Sequence, residues 1–127
     1  MATDNERLVE EFCGAWAQRD VDGILGYFAP DAVYHNIPLD PVKGASAVRA
    51  TLEGFLPMLG SIEIDTKRQI AVGDLVMNER IDTFTPPGKA RYGLPVAGAF
   101  EVKNGKIVAW RDYFCMKQFE KGTGLAV

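Results

Sequence analysis

The sequence of 127 residues contains a single histidine and two cysteines, and no apolar run approaches the roughly 20 residues that span a membrane. A catalytic triad could rest only on His35, and no G-x-S-x-G elbow accompanies it. The glycine-rich motifs of phosphate and dinucleotide sites are missing, as is the zinc-binding H-E-x-x-H motif. These absences predict a protein with no membrane association, no cofactor and no metal.

The charge and cysteine content argue against two further classes of protein: nucleic-acid-binding proteins and disulfide-rich proteins are not expected. The sequence has 14 lysines and arginines and 17 acidic residues, and the basic residues form no cluster, so a nucleic-acid partner is not expected. Cys13 and Cys115 are too few and too far apart for a disulfide framework, and both are predicted to be packed thiols. The first residues are charged and unlike a signal peptide, which predicts a cytoplasmic location.

The length and the ordinary share of hydrophobic residues, 47%, predict one globular domain over residues 1–127. Apolar residues in the first half recur at helical spacing. Three helices are predicted there: one from the capping box of Thr3 and Glu6 to about Arg19, a short one from Asp20 through Phe28 that Pro30 and Asp31 stop, and one between Gly44 and Gly60. An extended segment, residues 32–37, lies between the second and the third.

From Ser61 onward the apolar period changes toward that of strands. Four long strands are predicted, over residues 62–72, 75–85, 90–103 and 106–117, separated by glycine- and proline-containing turns. Helices followed by a strand meander indicate an α+β fold, with the N-terminal helices packed on one face of a curved sheet.

Strand alternation places charged residues on apolar faces. Arg80 and Asp82 share a face with Val76 and Phe84, and Asp112 shares one with Trp110. A charge on such a face is costly unless it is paired, and one arginine between two aspartates would satisfy that need. On spacing alone the three could equally lie on a solvated face or form a purely structural ion-pair cluster.

The extended segment adds a phenol and an amide. Tyr34 and Asn36 are two residues apart and therefore point the same way, whereas His35 points away and is interpreted as a surface or interface histidine.

Three runs together resemble the active-site segments of the limonene-1,2-epoxide hydrolases. They are Tyr34-His35-Asn36-Ile37-Pro38, Asn78-Glu79-Arg80-Ile81-Asp82 and Trp110-Arg111-Asp112-Tyr113-Phe114, and the similarity extends from about Glu6 to Phe119. The resemblance implies a cone-shaped α+β fold with a curved mixed or antiparallel sheet, related to nuclear transport factor 2, ketosteroid isomerase and the cystatin-like roll. It also implies a homodimer without a cofactor.

The resemblance further implies a role for each of these residues. Asp112 would be the general base that takes a proton from a water held also by Tyr34 and Asn36. Asp82 would be the acid that protonates the epoxide oxygen, and Arg80 would bridge the two carboxyls. His35 and Asn78 stand where the family has other polar residues, Gly60 resembles a small insertion, and Pro95 interrupts the third long strand.

Facing pattern and resemblance together predict an apolar pocket for a small hydrophobic epoxide. The expected substrate-binding residues are Trp16, Phe55, Leu59, Phe84, Leu94, Val96, Phe114 and Phe119. The opposite face of the sheet, with Leu75, Met77 and Ile81, is predicted to be a dimer interface.

Two other functions compete with epoxide hydrolysis. The first is a ketosteroid isomerase-like or polyketide cyclase-like enzyme on the same fold, which an arginine between both acids argues against. The second is a carrier of small hydrophobic ligands, since fold alone does not fix function. A carrier would not need Arg80, Asp82 and Asp112 together.

Overall fold

The computed structural model describes residues 3–126, which form four α-helices and a six-stranded mixed sheet. The helices are α1 (Asp4–Ala15), α2 (Val21–Leu25), α3 (Ala45–Leu59) and α4 (Met116–Thr123). The strands are β1 (Phe28–Asn36), β2 (Val42–Lys43), β3 (Ser61–Val72), β4 (Leu75–Thr85), β5 (Tyr92–Lys103) and β6 (Lys106–Tyr113). The strand order is β2-β1-β6-β5-β4-β3, and β1 and β6 are the parallel pair.

The core lies between the helices and one face of the sheet. Helix α1 begins at the predicted capping box and packs on β3 and β4, while α3 packs on β1. Fully buried apolar side chains from both layers meet there, among them Val9, Phe12, Leu52, Phe100 and Trp110. This arrangement confirms the predicted α+β layering with helices on one face of the sheet.

The third helix continues through Pro57 and ends where Gly60 follows it, as predicted. Gly60 has a φ of 70°, and a Cβ at this position would overlap the carbonyl oxygen of Thr85. The close approach of the chain to β4 therefore requires glycine here.

The prediction for residues 20–31 was wrong in part. Helix α2 ends at Leu25, and Phe28 begins β1 instead of closing the helix. Pro30 does not stop a helix but lies inside β1, where the pairing with β6 is irregular between Phe28 and Val33. A proline is tolerated at such an irregularity because no ladder hydrogen bond is required of it.

The last predicted strand was too long. Strand β6 ends at Tyr113, and the chain then forms α4, whose Phe119 and Thr123 are buried one helical turn apart. The third long strand begins at Tyr92 rather than at residue 90 and runs through Pro95, so the expected interruption at Pro95 was wrong. Pro95 pairs with β4 but precedes the part of β5 that pairs with β6, and a strand tolerates a proline where one of its sides is unpaired.

The two cysteines differ in their surroundings. Cys13 is buried as predicted, but Cys115 is exposed, so its prediction as a packed thiol was wrong. Its position just before α4, where β6 has already ended, leaves it outside both packed layers. Within residues 3–126 no helix is both long and apolar enough to cross a membrane.

Candidate active site

The centre of the site is the guanidinium of Arg80, which is completely buried on β4. It donates from Nε and Nη2 to the two oxygens of Asp82, at 3.1 and 2.9 Å. It donates from Nη1 and Nη2 to the two oxygens of Asp112, at 3.1 and 2.8 Å. The remaining Nη1 hydrogen goes to Asn78 Oδ1 at 3.0 Å, so all five donors of the side chain are used. The spacing of these residues left open whether they lie on a solvated face. The structure excludes a solvated face, because Arg80 is buried between the two aspartates.

Strand register explains how residues from β4 and β6 meet. Strand β5 lies between them, and its Gly98 pairs with Asn78 on one side and with Asp112 on the other. Because Gly98 has no side chain, Arg80 can reach across β5 to Asp112. A Cβ at Gly98 would overlap Arg80 Nη1 and would lie 2.9 Å from Asn78 Oδ1.

We therefore expect Gly98→Ala to disrupt the cluster. The added methyl group should displace the guanidinium and lower the free energy of unfolding by about 1–3 kcal/mol, the usual cost of overpacking a filled interior. Gly93→Ala on the same strand is the matched control, because its Cβ would meet only movable side-chain atoms of Ile81 and Thr83. Urea denaturation of both variants would test this, and equal stabilities would contradict it.

Tyr34 and Asn36 reach the cluster through the parallel pairing of β1 with β6. In this register Tyr34 lies beside Trp110 and Asn36 lies beside Asp112. The Tyr34 ring stacks on Trp110 at a centroid distance of 4.5 Å, and its hydroxyl donates to Asn36 Oδ1 at 3.4 Å. Trp110 Nε1 donates to Asp112 Oδ1 at 2.7 Å, which helps to fix that carboxylate. His35 instead contacts the carbonyl oxygen of Leu39.

Burial sets the charge state of the cluster. It raises the pKa of Asp112 above its ordinary value of 3.8, although Arg80 acts in the opposite direction. Burial disfavours the charge on Arg80 as well, but the carboxylates of Asp112 and Asp82 outweigh it and hold the arginine pKa well above its usual range. Two ionised carboxylates around one guanidinium would carry a net charge of −1 in a dry site, so Asp112 retains a proton more readily than an exposed aspartate does.

The raised pKa of Asp112 predicts a pH dependence of stability. Asp112 binds its proton more tightly in the folded than in the unfolded protein, so its contribution to folding is complete below the unfolded pKa. That contribution is lost as the pH rises from about 4 through the folded pKa, with a slope of at most about 1.4 kcal/mol per pH unit. We expect the wild type to lose stability relative to Asp112→Asn over this range. Urea denaturation of both proteins between pH 4 and 8 would measure it, and a constant difference would contradict the prediction.

A mostly apolar cavity opens from the cluster. All eight side chains predicted to bind substrate line it, as do Tyr34, Asn36, Asp82 and Asp112. Arg80 does not line it and lies behind the two carboxylates. The sequence interpretation missed several other lining residues, namely Leu39, Ile62, Ile64, Trp110 and Met116. Ile62 and Ile64 alternate along β3, and this pattern could have indicated them.

Two residues of the cluster were not predicted as part of the site. Asn78 was included in a run that resembles an active-site segment but was given no role, and Gly98 was not considered. A glycine inside a strand marks a close approach of another group, so Gly98 carried a usable signal. Among the residues that the structure describes, no group of three or more His, Cys, Asp or Glu side chains is arranged to hold a metal ion.

Comparisons with known proteins agree with this geometry. The family model of the "Limonene-1,2-epoxide hydrolase catalytic domain" matches residues 3–124. The epoxide hydrolase EphG of Mycobacterium tuberculosis is 32% identical over 114 residues, which are 90% of this chain and 75% of that protein. A solved structure of an M. tuberculosis LEH-like epoxide hydrolase matches with a TM-score of 0.82 and 32% identity, covering 94% of this chain and 89% of the other.

A third similar protein supports the fold alone. The structure of an NTF2-like protein of unknown function from Burkholderia pseudomallei has a TM-score of 0.87 at 18% identity, and it covers 98% of this chain and 100% of the other. The predicted nuclear transport factor 2-like fold is thereby confirmed.

Proposed function

Because the chain belongs to the limonene-1,2-epoxide hydrolase family, we propose that it adds water to a small hydrophobic epoxide, cyclic or terpene-like, and yields a vicinal diol without a covalent intermediate. The observation that carries the proposal is the Arg80-bridged pair of Asp82 and Asp112 at the wall of an apolar cavity. The cavity suits a hydrophobic substrate, and the paired carboxyls supply one base and one acid.

The chemistry of an epoxide explains why both carboxyls are needed. The ring is strained, but its oxygen leaves as a poor alkoxide, so attack by neutral water requires a proton to be removed on one side and delivered on the other. Each of these proton transfers typically contributes about 10²–10⁴-fold to the rate. Two carboxyls that share one proton provide both functions at once.

We assign the base to Asp112 because of its neighbours. Tyr34 and Asn36 lie on the adjacent strand and line the same cavity. A water beside Asp112 would therefore have three hydrogen-bonding partners, Asp112 included. Asp112 takes a proton from this water, whose oxygen forms a bond to an epoxide carbon as the ring C–O bond breaks. Asp82 gives its proton to the released oxygen. A proton then returns from Asp112 to Asp82 before the next turnover.

The proposal is tested with a panel of cyclic and terminal epoxides, limonene oxide and cyclohexene oxide included, followed by chiral analysis of the diols. A steroid ketone in the same panel tests the isomerase alternative. Hydrolysis of none of the epoxides would refute the proposal, and turnover of the ketone alone would favour the isomerase. Binding of all compounds without turnover would favour the carrier.

An isotope experiment separates direct attack by water from a route through an aspartate ester. In a single turnover with excess enzyme in ¹⁸O-labelled water, the new hydroxyl oxygen should carry the label, because both aspartates move protons only. Peptides that contain Asp82 or Asp112 should remain unlabelled in mass spectrometry. An unlabelled diol together with a labelled aspartate would overturn the assigned roles.

The proposal includes a homodimer that forms through the outer face of the sheet. Leu75 and Met77 are 36% and 42% exposed on this face, which is unusual for large apolar side chains, and Ile70 and Val72 on the neighbouring strand are more exposed still. Sedimentation analysis with Met77→Lys would test it, since a charge at the interface should favour the monomer.

A further inference from the structure

Asn78 occupies a position in the cluster that the reaction itself does not explain. It accepts the fifth hydrogen bond of Arg80, and its own amide donates to Gln69 Oε1 at 3.3 Å and to Cys13 Sγ at 3.9 Å. Gln69 Nε2 in turn donates to the backbone carbonyl of Glu6 in α1, at 3.0 Å. Three hydrogen bonds thus connect the guanidinium to the first turn of a helix.

The groups at the two ends determine which atoms donate and which accept along this series of hydrogen bonds. The Glu6 carbonyl can only accept, so Gln69 must present its NH₂ group to it and its oxygen to Asn78. Asn78 must then present its NH₂ group to Gln69 and its oxygen to Arg80. The guanidinium can only donate, which matches that orientation. If Gln69 were replaced by an apolar residue, the Asn78 NH₂ group would lose this acceptor and keep only the long contact with Cys13 Sγ, so the amide would be held less firmly against Arg80.

The backbone of β3 directs Gln69 into this position. The pairing of β3 with β4 shifts by one residue between Thr66 and Arg68, so Lys67 is an extra residue on β3. Before the shift the even-numbered residues face the core, and after it Gln69 does so opposite Asn78. A β-bulge re-aims the side chains that follow it in this way. Without the bulge, Gln69 would point to the outer face.

We propose that Asn78 and Gln69 are positioning residues that hold Arg80 in the orientation that serves both carboxyls. The inference rests on the proposed function for its consequence on turnover. Neither residue lines the cavity, so neither contacts substrate. Asn78 acts directly on Arg80, and Gln69 acts by fixing the orientation of the Asn78 amide.

The decisive variant is Gln69→Leu, because Gln69 is only half-buried, whereas Asn78→Leu would leave a buried Arg80 N–H without an acceptor. Asn5→Leu is the matched control. Asn5 Nδ2 donates to the Gly73 carbonyl at 3.3 Å, so it ties α1 to the turn between β3 and β4 but does not touch the cluster. Both variants lose one hydrogen bond between α1 and the β3–β4 hairpin, and Gln69→Leu alone also removes the acceptor of the Asn78 amide.

The first measurement is turnover of an epoxide that the wild type hydrolyses. We expect Gln69→Leu to lower kcat about tenfold with KM changed less than about twofold, because the lost interaction aligns the acid and the base without holding substrate. Asn5→Leu should leave both constants at wild-type values.

The second measurement needs no substrate and decides the inference. We expect ¹³C NMR titration to show the pKa of Asp112 raised further in Gln69→Leu than in the wild type, since a loosened guanidinium stabilises this carboxylate less. Asn5→Leu should leave the pKa of Asp112 unchanged. The other titratable groups at the cluster, Cys13 and Tyr34, remain neutral, since burial raises the pKa of both well above neutrality.

A raised pKa of Asp112 in Gln69→Leu that is absent from Asn5→Leu supports the inference. An unchanged pKa of Asp112 in Gln69→Leu, even with reduced kcat, would make Gln69 merely structural and overturn it, as would equal shifts in both variants. If the wild type hydrolyses no epoxide, the proposed function fails, and the titration still decides whether Gln69 positions Arg80.

Discussion

Asp112→Asn and Asp82→Asn should each lower kcat/KM for epoxide hydrolysis by about 10²–10⁴-fold, because each keeps the shape of the side chain but removes one proton-transfer group. Both variants should remain folded, since an amide oxygen still accepts from Arg80 and the guanidinium keeps one carboxylate. Chiral chromatography of the diol measures the activity, and urea denaturation measures the folding.

Two kinds of control variant accompany the aspartate substitutions. Asp65→Asn removes an exposed carboxylate on β3 that pairs with Lys67, away from the cluster, so it should leave turnover unchanged. Tyr34→Phe and Asn36→Ala should slow turnover less than loss of either aspartate, because each removes one of three holders of the water and leaves the base in place. Turnover near the wild-type rate in either aspartate variant would contradict the assigned mechanism.

Arg80→Met should have the largest effect on stability. The substitution leaves two buried carboxyls side by side without their cation, and breaking a buried ion pair from one side typically costs about 3–5 kcal/mol. The loss should shrink at acid pH, where Asp112, whose pKa burial raises, becomes protonated. Urea denaturation at pH 7 and pH 4 would measure both effects, together with loss of epoxide hydrolysis.

An exposed ion pair provides the control for Arg80→Met. Arg91 contacts Glu63 at 3.0 Å with both side chains more than 60% exposed, so Arg91→Met should cost less than about 1 kcal/mol. Restoring neutrality in the triple variant Arg80→Met, Asp82→Asn, Asp112→Asn should recover part of the lost stability. A cost for Arg80→Met as small as that for Arg91→Met would show that the cluster contributes little to folding.

Much of the fold could be predicted from local sequence patterns, because helix caps and turns depend on residues that are close together in the chain. The capping box of Thr3 and Glu6 begins α1, and the turns at Gly73 and Asn104 separate strands where they were predicted. The failures occurred where neighbours in space override local preference. Pro30 lies in a strand because the β1 and β6 pairing is irregular there, and α4 forms where its Phe119 can be buried at the cavity.

Sequence periodicity by itself determined that Arg80, Asp82 and Asp112 lie on apolar faces, because alternation along a strand depends only on the pleat. The tertiary structure decided which residues surround them. Gly98 makes room for the guanidinium, and the register of β1 with β6 brings Asn36 beside Asp112. The bulge at Lys67 turns Gln69 toward Asn78. Registers and bulges arise from pairing between residues far apart in the chain, so no short stretch of sequence contains them.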